Sequence, residues 1–383
     1  MEKKRGTVFG GSLLVAGTAI GGGMLALPVL TGLGGFFPAS IMYIACWLFM
    51  AMSGLLLVEV FLWSPKEVNI VSMAQMTLGK TGKIVAWLLY LFLFYSLTVA
   101  YVSGGGGLVS ELLPIPSWLG PLIFVLIFAP FVLIGPWAVD RINWVLMVGL
   151  GLSFALFLGM GFTKMEFKPL FYHNWPVAML ATPVVFTSFG FQGLIPTLTT
   201  YLDRDQYRVK QAVLIGSLIP LVIYIVWEAL FLGIVPIKGL EAAKELGQGA
   251  VAPLKHILGA TWLYGVGQFF AFFAIVTSFL GVTLGLLDFL ADGLGIKKSM
   301  NGRAILSLII FIPPTLFAMF NPCLFLNALH YAGGFGCALL LGLLPILMVW
   351  IGKKKFQSKY SFWTLGVMTI FIFFELTIMV AWK

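Results

Sequence analysis

The chain has 383 residues, of which 60% are hydrophobic and 10% are charged, whereas a soluble globular protein carries about 25% charged residues. A water-soluble globule of this length could not bury so much apolar surface. The net charge of +9 does not indicate a nucleic-acid partner, because the Lys and Arg residues lie in short loops between apolar runs. The composition therefore points to a protein whose main partner is the lipid bilayer.

Apolar runs long enough to cross roughly 30 Å of hydrocarbon as helices recur along the whole chain. They do not alternate in two-residue steps, which excludes barrel strands. The sequence predicts an all-α membrane protein with a single transmembrane domain over residues 1–383. Its eleven spans are expected at 7–33, 36–62, 84–112, 120–136, 142–162, 176–202, 211–235, 264–287, 303–320, 324–351 and 361–382.

The basic residues fix the expected orientation, because Lys and Arg are enriched in cytoplasmic loops. With the N-terminus inside, seventeen Lys and Arg residues fall on the cytoplasmic side and six on the other side. We therefore expect the N-terminus in the cytoplasm and the C-terminus outside. The three cysteines have no paired spacing, so Cys46, Cys323 and Cys337 are expected to be small buried side chains rather than metal or redox groups.

This orientation predicts the labelling of introduced cysteines in a background without the native ones. Asp205→Cys and Phe356→Cys should react with impermeant thiol reagents only from the cytoplasmic side, and Glu245→Cys only from outside. Labelling of Asp205→Cys in intact cells would contradict the orientation.

Two spans contain residues that make poor helix. Span 1 contains GTAIGGGML, with three consecutive glycines, and span 6 contains TSFGFQGLIP. Each glycine costs about 1 kcal/mol relative to Ala in a helix, and non-helical backbone at membrane depth must face protein or a watery cavity. Because span 6 is the fifth span after span 1, an odd number, the two interrupted spans run in opposite directions, as in inverted-repeat transporters. We expect inverted repeats at about 7–162 and 176–351, with an extra helix at about 361–382.

The ends created by such interruptions suit a zwitterion. A half-helix that begins at a break presents free N–H groups, and one that ends there presents free carbonyls. The carboxylate and ammonium groups of an α-amino acid match these two kinds of end.

The stretches VAGTAIGGGMLALP, LLLVEVF, FTSFGFQGLIPTLTTYL and TSFLGVTLGLLDFLAD resemble the hydroxy and aromatic amino acid permeases, and especially the bacterial tyrosine- and tryptophan-specific transporters. The resemblance covers nearly the whole chain. It implies the LeuT-type fold with a five-plus-five inverted repeat, a location in the bacterial inner membrane, and uptake of tyrosine or tryptophan driven by a cation gradient, usually of protons.

The resemblance also implies roles for individual residues. The N–H groups of Gly21, Gly22 and Gly23 would bind the substrate carboxylate. The groups expected near the ammonium are the carbonyls of Ala19, Val185 and Phe186 and the hydroxyls of Thr18 and Ser188. Gln192 is a further candidate for the substrate site, at a position where some relatives carry His.

Coupling to a cation has two sets of candidate residues. An ionisable residue inside a span is a functional candidate by default, which singles out Glu228, for coupling or gating, and His330, as a proton relay. The alternative for His330, which the sequence favours, is a hydrogen-bonded histidine of the core. By resemblance, the hydroxyls of Thr277 and Ser278 would bind Na⁺ together with the carbonyls of Gly17 and Ile20. No resident cofactor is expected, and protons are favoured over Na⁺ as the co-transported ion.

The substrate side chain needs an apolar, partly aromatic pocket, for which Phe189, Phe191, Tyr95 and Tyr101 are candidates. A channel is less favoured, because no charged ring or carbonyl filter is recognisable. An enzyme is disfavoured by the lack of a catalytic motif, since SGGGG at 103–107 lacks the Lys and Ser/Thr of a P-loop. A carrier of another neutral amino acid and a sensor that does not transport remain the alternatives.

Overall fold

The computed structural model describes residues 6–64, 68–257, 261–321 and 323–381, and within these ranges the chain is helical with no strand. The first half holds α1 (Val8–Ala19), α2 (Gly23–Leu30), α3 (Phe36–Leu62), α4 (Ile70–Leu112), α5 (Leu119–Ile134) and α6 (Pro136–Phe162). The second half begins with α7 (Trp175–Leu180), α8 (Thr182–Ser188), α9 (Ile195–Tyr201), α10 (Gln206–Ile234), α11 (Ile237–Glu245) and α12 (Leu254–Ile257). It continues with α13 (Thr261–Leu294), α14 (Met300–Phe320), α15 (Phe325–Tyr331), α16 (Leu344–Phe356) and α17 (Phe362–Ala381).

Eight helical segments of the described residues are long and apolar enough to cross a membrane. The first two helices are bent by 57° at a short break, and the count is nine if this pair is taken as one broken span. The predicted fourth span is the shorter apolar helix α5, and the predicted sixth span is divided among α7, α8 and α9. The protein is thus an all-helical, multi-pass membrane protein, and the count of eleven spans stays a prediction.

The predicted tenth span contains a π-helical segment, whose turns are wider than those of an α-helix. Between α15 and α16, residues Ala332–Leu343 form a π-helix. The segment passes so close to α8 that a Cβ atom on Gly333 would overlap the carbonyl group of Pro183. Helical segments of this kind are frequent at functional sites, and this one carries Cys337 and Leu341 to the cavity described below.

Several predicted spans were shorter than the helices of the structure. The fifth span was expected from 142 but begins at Pro136, because Gly135 (φ +113°) ends the preceding helix and proline fits the first helical position. The third span was expected from 84 but its helix begins at Ile70, with a kink at Gly79 (φ +73°). Residue 382 of the last predicted span lies outside the described residues.

Helices also extend past the apolar runs where polar groups stabilise their ends. The seventh span was expected from 211, but α10 begins at Gln206 because the Asp205 carboxylate accepts hydrogen bonds from two backbone N–H groups. The eighth span was expected to end at 287, but α13 continues to Leu294. Beyond it, Lys298 pairs with Asp288 at 2.7 Å and with Asp292 at 3.6 Å, and the hydrogen bond to Asp288 raises the pKa of the Lys298 ammonium.

The cysteines agree only in part with the expectation of burial. Cys46 and Cys337 are buried, whereas Cys323 is exposed. Cys323 precedes α15 and lines a small cavity of about 260 Å³ that Glu111, Gln268 and Phe325 also line. The prediction for Cys323 is therefore wrong, because the residue lies in a loop before the helix rather than inside it.

Candidate functional site

The first break lies at Ile20, Gly21 and Gly22, between α1 and α2. Ile20 has extended backbone angles (φ −75°, ψ 112°), so the helix cannot continue through it. Gly23 is the first residue of α2, and its N–H group has no carbonyl one turn earlier in that helix. The break therefore exposes polar backbone groups in the middle of the span.

Three neighbouring spans close tightly around the three glycines. A Cβ atom on Gly21 would overlap the Ser278 hydroxyl, one on Gly22 would lie 2.6 Å from Cε1 of Tyr101, and one on Gly23 would lie 2.8 Å from Oγ of Ser188. Any side chain at these positions would displace a neighbour. The N–H of Gly22 donates to the Ser278 hydroxyl at 3.0 Å, so α13 satisfies one of the backbone groups that the break leaves open.

The second break follows α8. The N–H of Phe189 donates to the carbonyls of Val185 and Phe186, both at 3.2 Å, which tightens the last turn of the helix. The chain resumes as a 3₁₀ turn at Gln192–Leu194 and continues as α9. The Val185 and Phe186 carbonyls expected near a substrate ammonium thus already accept a hydrogen bond from the chain itself.

One tyrosine holds both breaks together. The hydroxyl of Tyr224, in α10, lies 2.7 Å from the carbonyl oxygen of Ala19 and 2.8 Å from that of Ser188. These carbonyls end α1 and α8, the first halves of the two broken spans. Tyr224 is fully buried, so its hydroxyl is a donor shared between two carbonyl ends away from water.

A cavity of about 530 Å³ lies between the two breaks, which is large enough for an amino acid with an aromatic side chain. Eleven of the residues singled out from the sequence line it. They are Gly17, Thr18, Ala19, Ile20, Gly21, Gly23, Tyr101, Ser188, Phe191, Thr277 and Ser278.

Three predicted pocket residues do not line the cavity and are corrected. Tyr95 turns towards α14, where its hydroxyl donates to the carbonyl of Ile309 at 2.8 Å. Phe189 packs edge-on against Tyr224, with ring centroids 5.2 Å apart. Gln192 points away from the cavity, since its Nε2 donates to the Met50 carbonyl and its Oε1 accepts from the N–H of Phe191.

Other predicted residues lie behind the cavity wall. Phe186 packs against Phe49 and Phe371, and Val185 is buried beside it in α8. The buried side chains of Glu228 and His330 are likewise outside the lining, as is Gly22, which faces Tyr101.

The cavity also contains residues that the sequence did not single out. Tyr90, Phe94 and Leu97 of α4 form an apolar wall, while Asn143 and Met147 come from α6. Thr187 lines it from α8 and donates to the Leu329 carbonyl at 2.9 Å. Asn143 is the one of these with a sequence signal, a polar residue near the start of an apolar span. The others are common residue types on helices that are apolar on all faces.

The four residues proposed from sequence for Na⁺ all line this cavity. Thr277 donates to the carbonyls of Phe273 and Ala274, at 2.8 and 3.1 Å, and so bonds to its own helix. The Ser278 hydroxyl is the acceptor for Gly22. Within the described residues, no group of three or more His, Cys, Asp or Glu side chains could hold a metal ion.

A helical membrane protein in which two interrupted spans meet at a central cavity has the architecture of a transporter. The manganese transporter of Eremococcus coleocola, solved as a variant, shares this fold, with a TM-score of 0.64 and 12% identity over 97% of this chain and 85% of that chain.

The sequence defines the family. The tryptophan/tyrosine permease family matches residues 4–383, so the chain belongs to that family. It is 36% identical to the tyrosine-specific transport system 1 of Haemophilus influenzae, covering 97% of this chain and 94% of that protein. It is 34% identical to the tryptophan-specific transport protein of the same organism (94% and 91% covered) and 32% identical to the low affinity tryptophan permease of Escherichia coli (99% and 96% covered). The family consists of permeases rather than enzymes, and the chain is a multi-pass protein of the bacterial inner membrane.

The tight packing at the first break generates a prediction. Gly22→Leu should weaken amino acid binding by at least about tenfold, because overpacking against Tyr101 costs on the order of 1–3 kcal/mol and moves the break. Gly151→Leu, at a position of α6 with open space around it, is the matched control and should bind normally. Binding to purified protein measures both. Wild-type affinity in Gly22→Leu would show that the break does not shape the site.

Proposed function

We propose that the protein is a secondary active transporter that carries an aromatic amino acid into the cytoplasm together with a cation, by alternating access. Tyrosine is the substrate that we propose first, and tryptophan is the next candidate. The observation that carries this proposal is the cavity of about 530 Å³ where the two broken spans meet. The names of the relatives, which specify tyrosine or tryptophan, support the substrate class.

The proposed topology has eleven spans with the N-terminus in the cytoplasm and the C-terminus outside. Two inverted repeats, at about 7–162 and 176–351, form one transmembrane domain, followed by the extra helix α17. The two breaks support this arrangement, because each divides the first span of its repeat.

In this topology the cavity faces the cytoplasm. Asn143, Thr197 and Gly285 line it, and each lies towards the cytoplasmic end of its span. On the other side of the break, the Leu25 carbonyl accepts from the N–H of Ala250 at 2.8 Å, and the Met24 carbonyl accepts from the Trp227 indole at 3.1 Å. These bonds hold α2 against the outer segments, as an inward-facing state requires.

The amino acid backbone would bind at the breaks. The N–H groups of Gly21 and Gly23 would receive the carboxylate at the start of α2, where the helix dipole favours negative charge. The hydroxyls of Thr18 and Ser188 would lie near the ammonium. The aromatic side chain would rest against Tyr90, Phe94, Leu97, Tyr101, Met147 and Phe191.

A position with free space inside the cavity tests this arrangement. Gly281 lines the cavity, and a Cβ atom there would contact nothing within 4 Å. Gly281→Phe should therefore fold normally but reduce affinity for tryptophan roughly tenfold more than for tyrosine, because the larger indole needs the lost volume. Gly366→Phe, an open position on α17, is the control for added bulk. Competition of each amino acid against labelled tyrosine measures the effect, and equal losses for both would contradict the placement of the side chain.

The proposed co-transported cation is the proton, and Na⁺ at Gly17, Ile20, Thr277 and Ser278 is the alternative. Uptake of labelled tyrosine and tryptophan into proteoliposomes should respond to an imposed proton gradient and not to a Na⁺ gradient. Exchange of labelled for unlabelled substrate without any gradient should also occur, because a carrier exchanges and a sensor does not. A protein that binds tyrosine but never exchanges it would contradict transport.

Thr277→Ala separates the two cations. Ser278 accepts the hydrogen bond from Gly22, so its removal would disturb the break as well as a cation site, whereas the Thr277 hydroxyl bonds only to its own helix. Proton-driven uptake should persist in Thr277→Ala, within about fivefold of wild type, since one neutral hydrogen bond contributes about 1 kcal/mol. Na⁺-dependent uptake in the wild type that is lost in this variant would contradict proton coupling.

A further inference from the structure

A carboxyl group in α10 lies in a polar cluster of its own, apart from the cavity. Glu228 is fully buried, and its Oε1 and Oε2 lie 2.9 Å from the Thr31 hydroxyl and 2.8 Å from the Tyr43 hydroxyl. The two hydroxyls are 2.7 Å apart, and Thr31 also lies 2.6 Å from the Leu27 carbonyl. These three side chains come from three different spans, and none of them lines the cavity.

Among the residues that the structure describes, no Lys or Arg side chain forms an ion pair with the Glu228 carboxyl group; Lys298, for example, pairs with Asp288 and Asp292 instead. Gly32 and Leu240 cover the carboxyl group on the outer side, and the charged side chains of α11 (Lys238, Glu241, Lys244 and Glu245) are exposed. The titratable groups that face the cluster are Tyr43 itself and Tyr224, whose ring is 6.4 Å from that of Tyr43.

The hydrogen-bond geometry accommodates a proton on this carboxyl group. If Glu228 is neutral, its own hydrogen goes to Thr31, Thr31 donates to the Leu27 carbonyl, and Tyr43 donates to Oε2. If Glu228 is ionised, Thr31 turns its hydrogen to Oε1, and Tyr43 still donates to Oε2. Rotation of one hydroxyl therefore satisfies either state, while burial without a cation favours the neutral one.

We propose that the Glu228 carboxyl group, held between Thr31 and Tyr43, is a proton-binding site separate from the substrate cavity, and that Tyr224 connects it to both broken spans. This inference rests on the proton-coupled transport proposed above. A proton from water converts the carboxylate to the acid, and its return to water restores the carboxylate, so no other reactant is needed. With the N-terminus inside, Glu228 lies six residues, roughly 9 Å, from the outer end of α10, which makes the outside the nearer source of protons.

The connection to the substrate site runs through contacts on one face of α10. Tyr224 is one helical turn before Glu228, and its ring packs edge-on against that of Tyr43. Its hydroxyl contacts the carbonyls of Ala19 and Ser188 at the two breaks. A change in the hydrogen bonds of Tyr43 therefore reaches the ends of both half-helices through a single side chain.

The test compares Glu228→Gln, which imitates the neutral acid, with Glu375→Gln. Glu375 is also fully buried but lies in α17 outside this cluster. In proteoliposomes, one pH unit can drive up to about tenfold accumulation for each proton coupled to the substrate. Wild type and Glu375→Gln should accumulate labelled tyrosine under this gradient. Glu228→Gln should show a ratio of about 1 between uptake with and without the gradient, while it still exchanges labelled tyrosine.

The outcomes separate this inference from the function on which it rests. A wild-type protein that does not take up aromatic amino acids under a proton gradient would overturn the proposed function. Gradient-driven accumulation in Glu228→Gln, with a wild type that behaves as proposed, would overturn the proton site alone.

Two further variants keep the inference testable if Glu228→Gln does not exchange. Tyr43→Phe retains the carboxyl group and should move the pH dependence of exchange to higher pH, because the carboxylate loses a donor that favours its charged form. An unchanged pH profile would overturn the role of the cluster. Tyr224→Phe removes the hydroxyl from both breaks and should slow exchange and lower the response to the gradient together, and a wild-type response to the gradient would overturn the connection.

Discussion

The hydroxyl group of Tyr224 is the contact on which the arrangement of the site depends. Two half-helices end at Ala19 and Ser188, and their carbonyl groups carry partial negative charge towards each other in a region without bulk water. Such ends would repel each other, and each buried carbonyl needs a donor. A single hydroxyl between them supplies that donor and fixes their separation. The position of the cavity between the two breaks follows from this constraint.

The same face of α10 also contacts the part of span 1 that comes after the break. Trp227 donates from its indole to the carbonyl of Met24, and the next residue, Glu228, contacts Thr31, seven residues after Met24. With Tyr224, these residues recur at three- and four-residue spacing, which places them on one side of the helix. One helix therefore contacts span 1 at the end of α1, at the start of α2 and just after the end of α2. Any movement of α1 relative to α2 must change at least one of these contacts.

The sequence predicted where the helices break, which depends on residue composition. It did not predict which side chains point into the cavity. Three consecutive glycines and the two glycines of the TSFGFQG segment identified both breaks, since glycine disfavours helix regardless of its neighbours. Tyr95 lies in a helix that is apolar on all faces, and Phe189 lies at a break, so hydrophobic periodicity does not show which of these side chains faces the cavity. Tyr224 was missed for a related reason: its role becomes visible only once the two carbonyl ends are placed beside it.

The two buried carboxyl groups show why burial alone is a weak guide to function. Glu228 and Glu375 are both fully buried in membrane helices, and either would be costly to ionise there. Glu228 has a hydroxyl at each oxygen, arranged so that both the acid and the carboxylate can be hydrogen-bonded. Neither oxygen of Glu375 has a hydrogen-bond partner among the described side chains and backbone groups, so nothing there stabilises a charge. A group that exchanges protons during transport must be stable in both forms, and of these two carboxyl groups the one in α10 meets that requirement.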